Sequence, residues 1–152
     1  MFKTHLLISL LIGIFLFPFF DINKFVFVLL IILAGSLPDI DLPKSKIGNM
    51  FKPLSLIINF FFGHRGFFHS IFFPLILLFV FAYFNKLTYG LIIFVGYTGH
   101  LLADSLSREG ISFLQPFSRF RINGFLRVGG FLEYILFFLL LVFTVLSIPR
   151  MF

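Results

Sequence analysis

The chain has 152 residues, 60% of them hydrophobic, with 28 Phe and 12% charged residues. A soluble domain averages about 25% charged residues, so this composition lacks the polar side chains needed to cover a water-exposed surface. The absence of Cys excludes disulfides and thiolate metal sites and leaves the redox compartment unreadable. The net charge of +6 comes from a few cations set between apolar runs, a pattern of membrane topology rather than of nucleic-acid binding.

Five apolar runs follow in chain order, at Leu6–Phe20, Phe25–Leu37, Phe67–Phe84, Leu87–Ala103 and Phe131–Ile148. A span needs about 20 residues, with a range of about 17–25, and the last three qualify. The first has the outline of a signal peptide, with Lys3 ahead of an apolar stretch. Pro18, Phe19, Phe20 and Asp21 stand where a small-residue cleavage site belongs, so the run is expected to remain as a span. The first two runs are short and separated by the polar turn Asp21–Lys24, which predicts a tight helical hairpin. The apolar segment Asn49–Gly63, bordered by Lys44, Lys46 and Lys52, is expected to lie at the interface or re-enter the bilayer. The expected fold is all-α: a polytopic transmembrane helical bundle of about five spans plus an interfacial helix, forming one domain over residues 1–152.

Five spans place Lys3, Lys44, Lys46, Lys52, Arg65, Arg108, Arg119, Arg121 and Arg127 on one side and Lys24, Lys86 and Arg150 on the other. The bias makes the first side cytoplasmic in a multi-pass protein of the cell membrane, with attraction to anionic lipid headgroups as a by-product. The same sorting puts Asp39, Asp41, Asp104, Glu109, Glu133 and all four His on the cytoplasmic side and leaves Asp21 outside. Topology alone thus brings these residues to one depth.

His100 and Asp104 are four residues apart, on one helix face. Ionisable residues at membrane depth are costly and commonly functional, and imidazole with carboxylate suits zinc, iron or manganese. A local hydrogen bond at a helix end is the plainer alternative. Asp39 and Asp41 flank Ile40 between Pro38 and Pro43. The prolines are expected to stop the second helix, and two carboxylates so close repel unless a cation or proton intervenes; a solvated turn is the plainer alternative. His64 and His69 bracket Arg65, which suits a loop His followed by a His on the first turn of the third span, with Arg65 poised to bind an anion in a bidentate manner. Ser70 could orient a ligand or water. His5 opens the first span and Glu133 the fifth; each alone is weak, since a Glu near a helix N-terminus is favoured by the helix dipole anyway. Glu109 reads as a solvated turn residue. Four His and four carboxylates exceed what one catalytic zinc needs, so two ions are expected, zinc first and manganese or iron as alternatives.

The stretches LPDIDLPKS (Leu37–Ser45), GHRGFFHS (Gly63–Ser70) and GYTGHLLAD (Gly96–Asp104), in this order, resemble the YdjM-like family of membrane-bound, metal-dependent hydrolases, bacterial inner-membrane proteins described as LexA-regulated or LexA-binding. The resemblance runs from His5 to Glu133. It implies His5, Asp39, Asp41, His64, His69, His100, Asp104 and Glu133 as the metal-binding positions, with Phe68 where the family commonly has Thr. The ligand pattern also resembles, by analogy alone, that of all-helical zinc phospholipases.

The expected function is metal-dependent hydrolysis of a phosphoester at the cytoplasmic membrane face. Arg65, Asp41 and Glu133 are the expected catalytic residues, and Arg119 or Arg121 would help to hold phosphate oxygens. A site at headgroup level points to membrane lipids as partners and to a phospholipid or lipid-linked phosphate as substrate. The rivals are a divalent-metal transporter, which needs ionisable residues spread through the membrane depth, and a non-enzymatic scaffold binding a regulator, which needs no such set of ligand side chains.

Overall fold

A computed structural model describes residues 2–118 and 120–151. Among the described residues seven α-helices run α1 (Phe2–Leu16), α2 (Lys24–Ser36), α3 (Lys46–Met50), α4 (Lys52–Phe62), α5 (Phe72–Tyr83), α6 (Leu87–Ser105) and α7 (Phe131–Ser147). Among the described residues there is no β-strand; two isolated bridges, Ser107 with Leu126 and Ile111 with Ile122, tie the loop 106–130 back on itself. The all-helical expectation holds.

The hairpin between α1 and α2 forms as its sequence dictates. Pro18 sits in a 3-10 turn, Phe17–Phe19, that closes α1, and the Asn23 side chain caps α2 by accepting from the backbone N–H of Phe25 and Val26. α6 is the central helix and packs against α1, α2 and α5, while α1 also packs against α7. Small residues allow the close approach: a Cβ on Gly99 would lie 2.7 Å from Ser9 Cα, and one on Gly96 would lie 2.8 Å from the Ile31 carbonyl oxygen. The Ser9 hydroxyl donates to the Gly96 carbonyl at 2.9 Å, gluing α1 to α6 as small and hydroxylated residues do between helices in lipid.

The distribution of polarity is inverted relative to a soluble protein. Among the described residues, polar side chains outnumber apolar ones in the buried class, while Phe19, Phe60, Tyr83 and Phe131 stand 78% exposed or more. Continuous apolar surface of this kind faces a partner or a membrane. Phe2–Phe19 and Phe131–Met151 are each long and apolar enough to cross a bilayer. α5, at 12 residues, is shorter than the expected run Phe67–Phe84. Residues 67–69 instead form a 3-10 turn, and Pro74 in the first turn of α5 has no N–H to extend the helix upstream.

The second helix stops where the prolines were expected to stop it: α2 ends at Ser36. Pro38 occupies the first turn of a 3-10 segment, Leu37–Asp41, that follows α2 directly, where its missing N–H costs nothing. Asp39 and Asp41 are therefore held on an ordered turn rather than a solvated loop.

Candidate metal centre

Alternating helix direction brings the start of α1, the end of α2, the turn before α5, the end of α6 and the start of α7 to one end of the bundle. His100 and Asp104 come from α6, Asp39 and Asp41 from the turn after α2, His69 from the turn before α5 and His5 from α1. His5, Asp41, His69, His100 and Asp104 are all buried. His5, His100 and Asp104 present ligand atoms within 4.8 Å of one another, and so do Asp39, His69 and His100. The two triads overlap at His100.

Each ring in this centre is aimed by a specific bond. His100 Nδ1 lies 2.7 Å from the Gly35 carbonyl oxygen, so Nδ1 carries the proton and Nε2 turns a lone pair inward. His69 Nδ1 lies 2.8 Å from Asp41 Oδ2, leaving its Nε2 3.3 Å from Asp104 Oδ2. His5 Nε2 is 3.2 Å from Asp104 Oδ1, and its ring meets that of His100 at 4.3 Å between centroids. His100 Nε2 and Asp104 Oδ2 are both buried without a hydrogen-bond partner, 3.5 Å apart. A buried polar atom left unsatisfied is costly. A nitrogen lone pair and a carboxylate oxygen, both inward-facing, fit a cation between them.

Asp41 has a different place from the one its sequence position suggests. Its carboxylate is fully buried and fully engaged: Oδ1 with His64 Nδ1 at 2.9 Å, Oδ2 with His69 Nδ1 and with the backbone N–H of Arg65 at 2.9 Å. Burial pushes its pKa up, but the bonds to His64 and His69 outweigh that and hold it below the usual carboxylate range. His69, in the turn ahead of α5, is pulled down by burial and up by Asp104 and Asp41, and ends at about 9. Asp41, expected as a direct ligand, belongs to neither His/Asp triad among the described residues and lies behind His69 and His64, where a carboxylate can orient the rings. His64, with a side chain 34% exposed, stands at the mouth, in a cavity of about 250 Å³ lined by His5, Asp39, Arg65, His69, Asp104 and Glu109 among others.

Arg65, Glu133, Glu109 and Arg121 have the following surroundings. Arg65, expected to be free to clamp phosphate, is braced: Nη2 donates to Asp104 Oδ1 at 2.8 Å and Nη1 to the Gly110 carbonyl at 2.8 Å. Its backbone is left-handed at φ 59, a conformation few side-chain-bearing residues adopt without support, here supplied by these bonds. Glu133 lies apart from the other donors. Its Oε1 accepts from the Thr4 hydroxyl at 3.0 Å and its Oε2 from the Gly129 N–H at 2.7 Å, fastening α7 to α1 beside His5. Glu109 is exposed as expected, yet lies 3.3 Å from Arg65 Nη2. Arg121 is exposed and does not line the cavity; Arg119 lies outside the described residues.

Sequence reasoning missed the Gly35 carbonyl, the Thr4–Glu133 link and the role of the 106–130 loop, whose Gly110 holds Arg65 and whose Val128 lines the cavity. A backbone carbonyl leaves no mark in the residue pattern. The Thr at position 4, polar inside an apolar helix, was the one available signal.

The family described as YdjM inner membrane protein matches residues 1–151. The chain belongs to it. YvsG of Bacillus subtilis, an uncharacterized protein, is 35% identical over 105 residues, 66% of this chain and 64% of that protein. The inner membrane protein YdjM of Escherichia coli is 41% identical over 104 residues, 60% of this chain and 50% of that protein, and YdjM of Shigella flexneri matches to the same extent. The chain thus spans about half the length of the YdjM proteins and somewhat more of YvsG. No solved structure matches. Within the YdjM family frame, the three motifs that carried the sequence resemblance are the segments that build the buried centre, apart from His5, which α1 contributes.

Proposed function

We propose that this YdjM-family protein is a membrane-bound, metal-dependent hydrolase acting on a phosphoester at the cytoplasmic face. The observation that carries this reading is the pair of buried, unpartnered atoms, His100 Nε2 and Asp104 Oδ2, at the meeting point of two overlapping His/Asp triads. His5, His69, His100 and Asp104 would hold a divalent ion, with Asp39, 3.9 Å from His100 Nε2, on the open side. A single His100 Nε2 serves one ion, so the shared corner favours one ion here over the two expected from the ligand count. A divalent ion bound by such ligands acts as a Lewis acid and activates water for attack on a phosphoester.

The chain's own residues prepare that chemistry. The Gly35 carbonyl and Asp41 fix the tautomers of His100 and His69. Arg65 neutralises Asp104 and ties it to the 106–130 loop. His64, held by Asp41 at Nδ1 and open to the cavity mouth, is placed to move a proton to or from substrate. The fold reading that accompanies this is five spans (α1, α2, α5, α6 and α7) with α3–α4 at the interface. The nine cations on the side of the centre against three opposite orient that side to the cytoplasm. A centre at headgroup depth suits a phospholipid or lipid-linked phosphate.

The test is metal analysis of the purified protein followed by a screen of phosphomonoesters, phosphodiesters and lipid phosphates in detergent. Stoichiometric divalent metal, and hydrolysis abolished by chelation and restored by metal, are expected. Absence of metal from the wild-type protein, or metal-insensitive turnover, overturns the reading. Metal flux into proteoliposomes without hydrolysis would favour transport.

A further inference from the structure

We infer that the short helices α3 and α4 form a seat for an anionic phospholipid, separate from the buried metal centre. Lys44, Lys46 and Lys52 line a cavity of about 620 Å³ together with Ser45, Asn49 and Leu56. All three lysines are exposed. Among the described residues none has an acidic partner; Lys46 Nζ lies over the Phe2 ring at 5.3 Å from its centroid. The Ser45 hydroxyl is committed, donating to the Asp39 carbonyl and accepting from Gly48 N–H. The cavity's charge is therefore uncompensated by the protein, and its chemistry asks for an anion.

The adjoining surface says which anion. α4 buries only Ser55 and Ile58. Leu54, Leu56, Ile57, Phe60 and Phe61 stand 48% to 83% exposed, as does Met50 at the end of α3. Free phosphate would use the lysines and leave this apolar face in water. A phospholipid satisfies both, with its phosphate among the lysines and its acyl chains along α4. Such a surface, cationic beside apolar, is how helices lie in the headgroup layer, and each lysine there adds about 1 kcal/mol, or about fivefold in affinity, for anionic lipid. This inference rests on the interfacial placement of α4 but not on the metal.

The chain has no Trp, so Leu56→Trp makes a single reporter on the wall of the cavity. The full protein carrying it is reconstituted into phosphatidylcholine vesicles holding equal mole fractions of either brominated phosphatidylglycerol or brominated phosphatidylcholine. A blue-shifted emission and an apparent preference for phosphatidylglycerol of at least about fivefold, the contribution of a single lysine, falling with salt, are expected. Lys44→Gln, Lys46→Gln and Lys52→Gln together should bring the preference to parity with the emission still blue-shifted and the metal content unchanged. Equal quenching by both lipids in the parent, or a preference untouched by the triple substitution, overturns the seat. Emission typical of water overturns it together with the interfacial helix. Relief of the preference by millimolar inorganic phosphate would mean that a soluble anion is the ligand, and overturns the lipid assignment.

Discussion

Asp41 separates two roles that composition alone cannot: a ligand that touches the ion and a carboxylate that aims one. Its two oxygens are taken by His64, His69 and the Arg65 N–H at 2.9, 2.8 and 2.9 Å, and of these partners His69 is the one that belongs to a ligand triad. Removing such an orienting group costs about 10–100-fold in metal affinity, or about 1.4–2.8 kcal/mol, without removing a ligand. Asp41→Asn should fall at the low end. Its amide oxygen can still take the His69 and Arg65 N–H groups, leaving the NH2 to face His64, which is open to water. Asp41→Ala removes every acceptor and should approach the full 100-fold. Zinc titration against a competing chelator, with the protein in detergent, gives both affinity and stoichiometry. One equivalent of metal in all three proteins, in the order wild type, Asn, Ala, is the expected result. Loss of the equivalent in Asp41→Asn would make Asp41 a ligand, and unchanged affinity in Asp41→Ala would remove the orienting role.

His100→Ala should abolish stoichiometric metal binding, whereas His64→Ala should retain the metal and lose turnover; metal analysis beside an activity assay distinguishes them. In the metal-free protein, His69 at about 9 against an ordinary 6.5 gives stability that is complete below pH 6.5 and is lost as pH rises through about 9. Metal must displace that proton, so zinc affinity should rise over the same window, measurable by titration at successive pH values. Gly99→Ala sets a Cβ 2.7 Å from Ser9 Cα and should destabilise the α1–α6 packing by about 1–3 kcal/mol, read by thermal unfolding in detergent. Thr4→Val breaks the bond to Glu133 and should cost about 1 kcal/mol with metal content intact.

Much of this arrangement was legible before any coordinates. The runs around residues 6–20, 25–37, 87–103 and 131–148 reappear as α1, α2, α6 and α7 with small shifts at their ends, because apolar helices in sequence announce themselves by length and composition. That the acids and His collect at one end of the bundle was expected from alternation of helix direction alone, and the structure brings most of them into contact. What sequence could not resolve is which of several adjacent carboxylates faces inward. Asp39 and Asp41 look alike in the string, yet a 3-10 turn points one toward His100 and locks the other behind His69. Arg65 likewise reads as a free anion clamp until the loop 106–130 folds over it, and that loop has neither helix nor periodicity by which to place it. Glu133 shared the depth of the other ligands but, on the α7 side of α1, meets Thr4 instead.

The position of α7 also bears on the order in which the molecule is made. Every side chain proposed to touch the ion lies before residue 105, ahead of the fifth apolar run. A ribosome releasing this chain has therefore delivered all of the ligands while α7 is still unsynthesised. α7, which follows them in the chain, brings none of the proposed ligands; it brings Glu133, which accepts from the Thr4 hydroxyl beside His5 and pins α1. Assembly of the centre and its fastening are thus separate events in the life of the chain, with the latch arriving after the parts it holds.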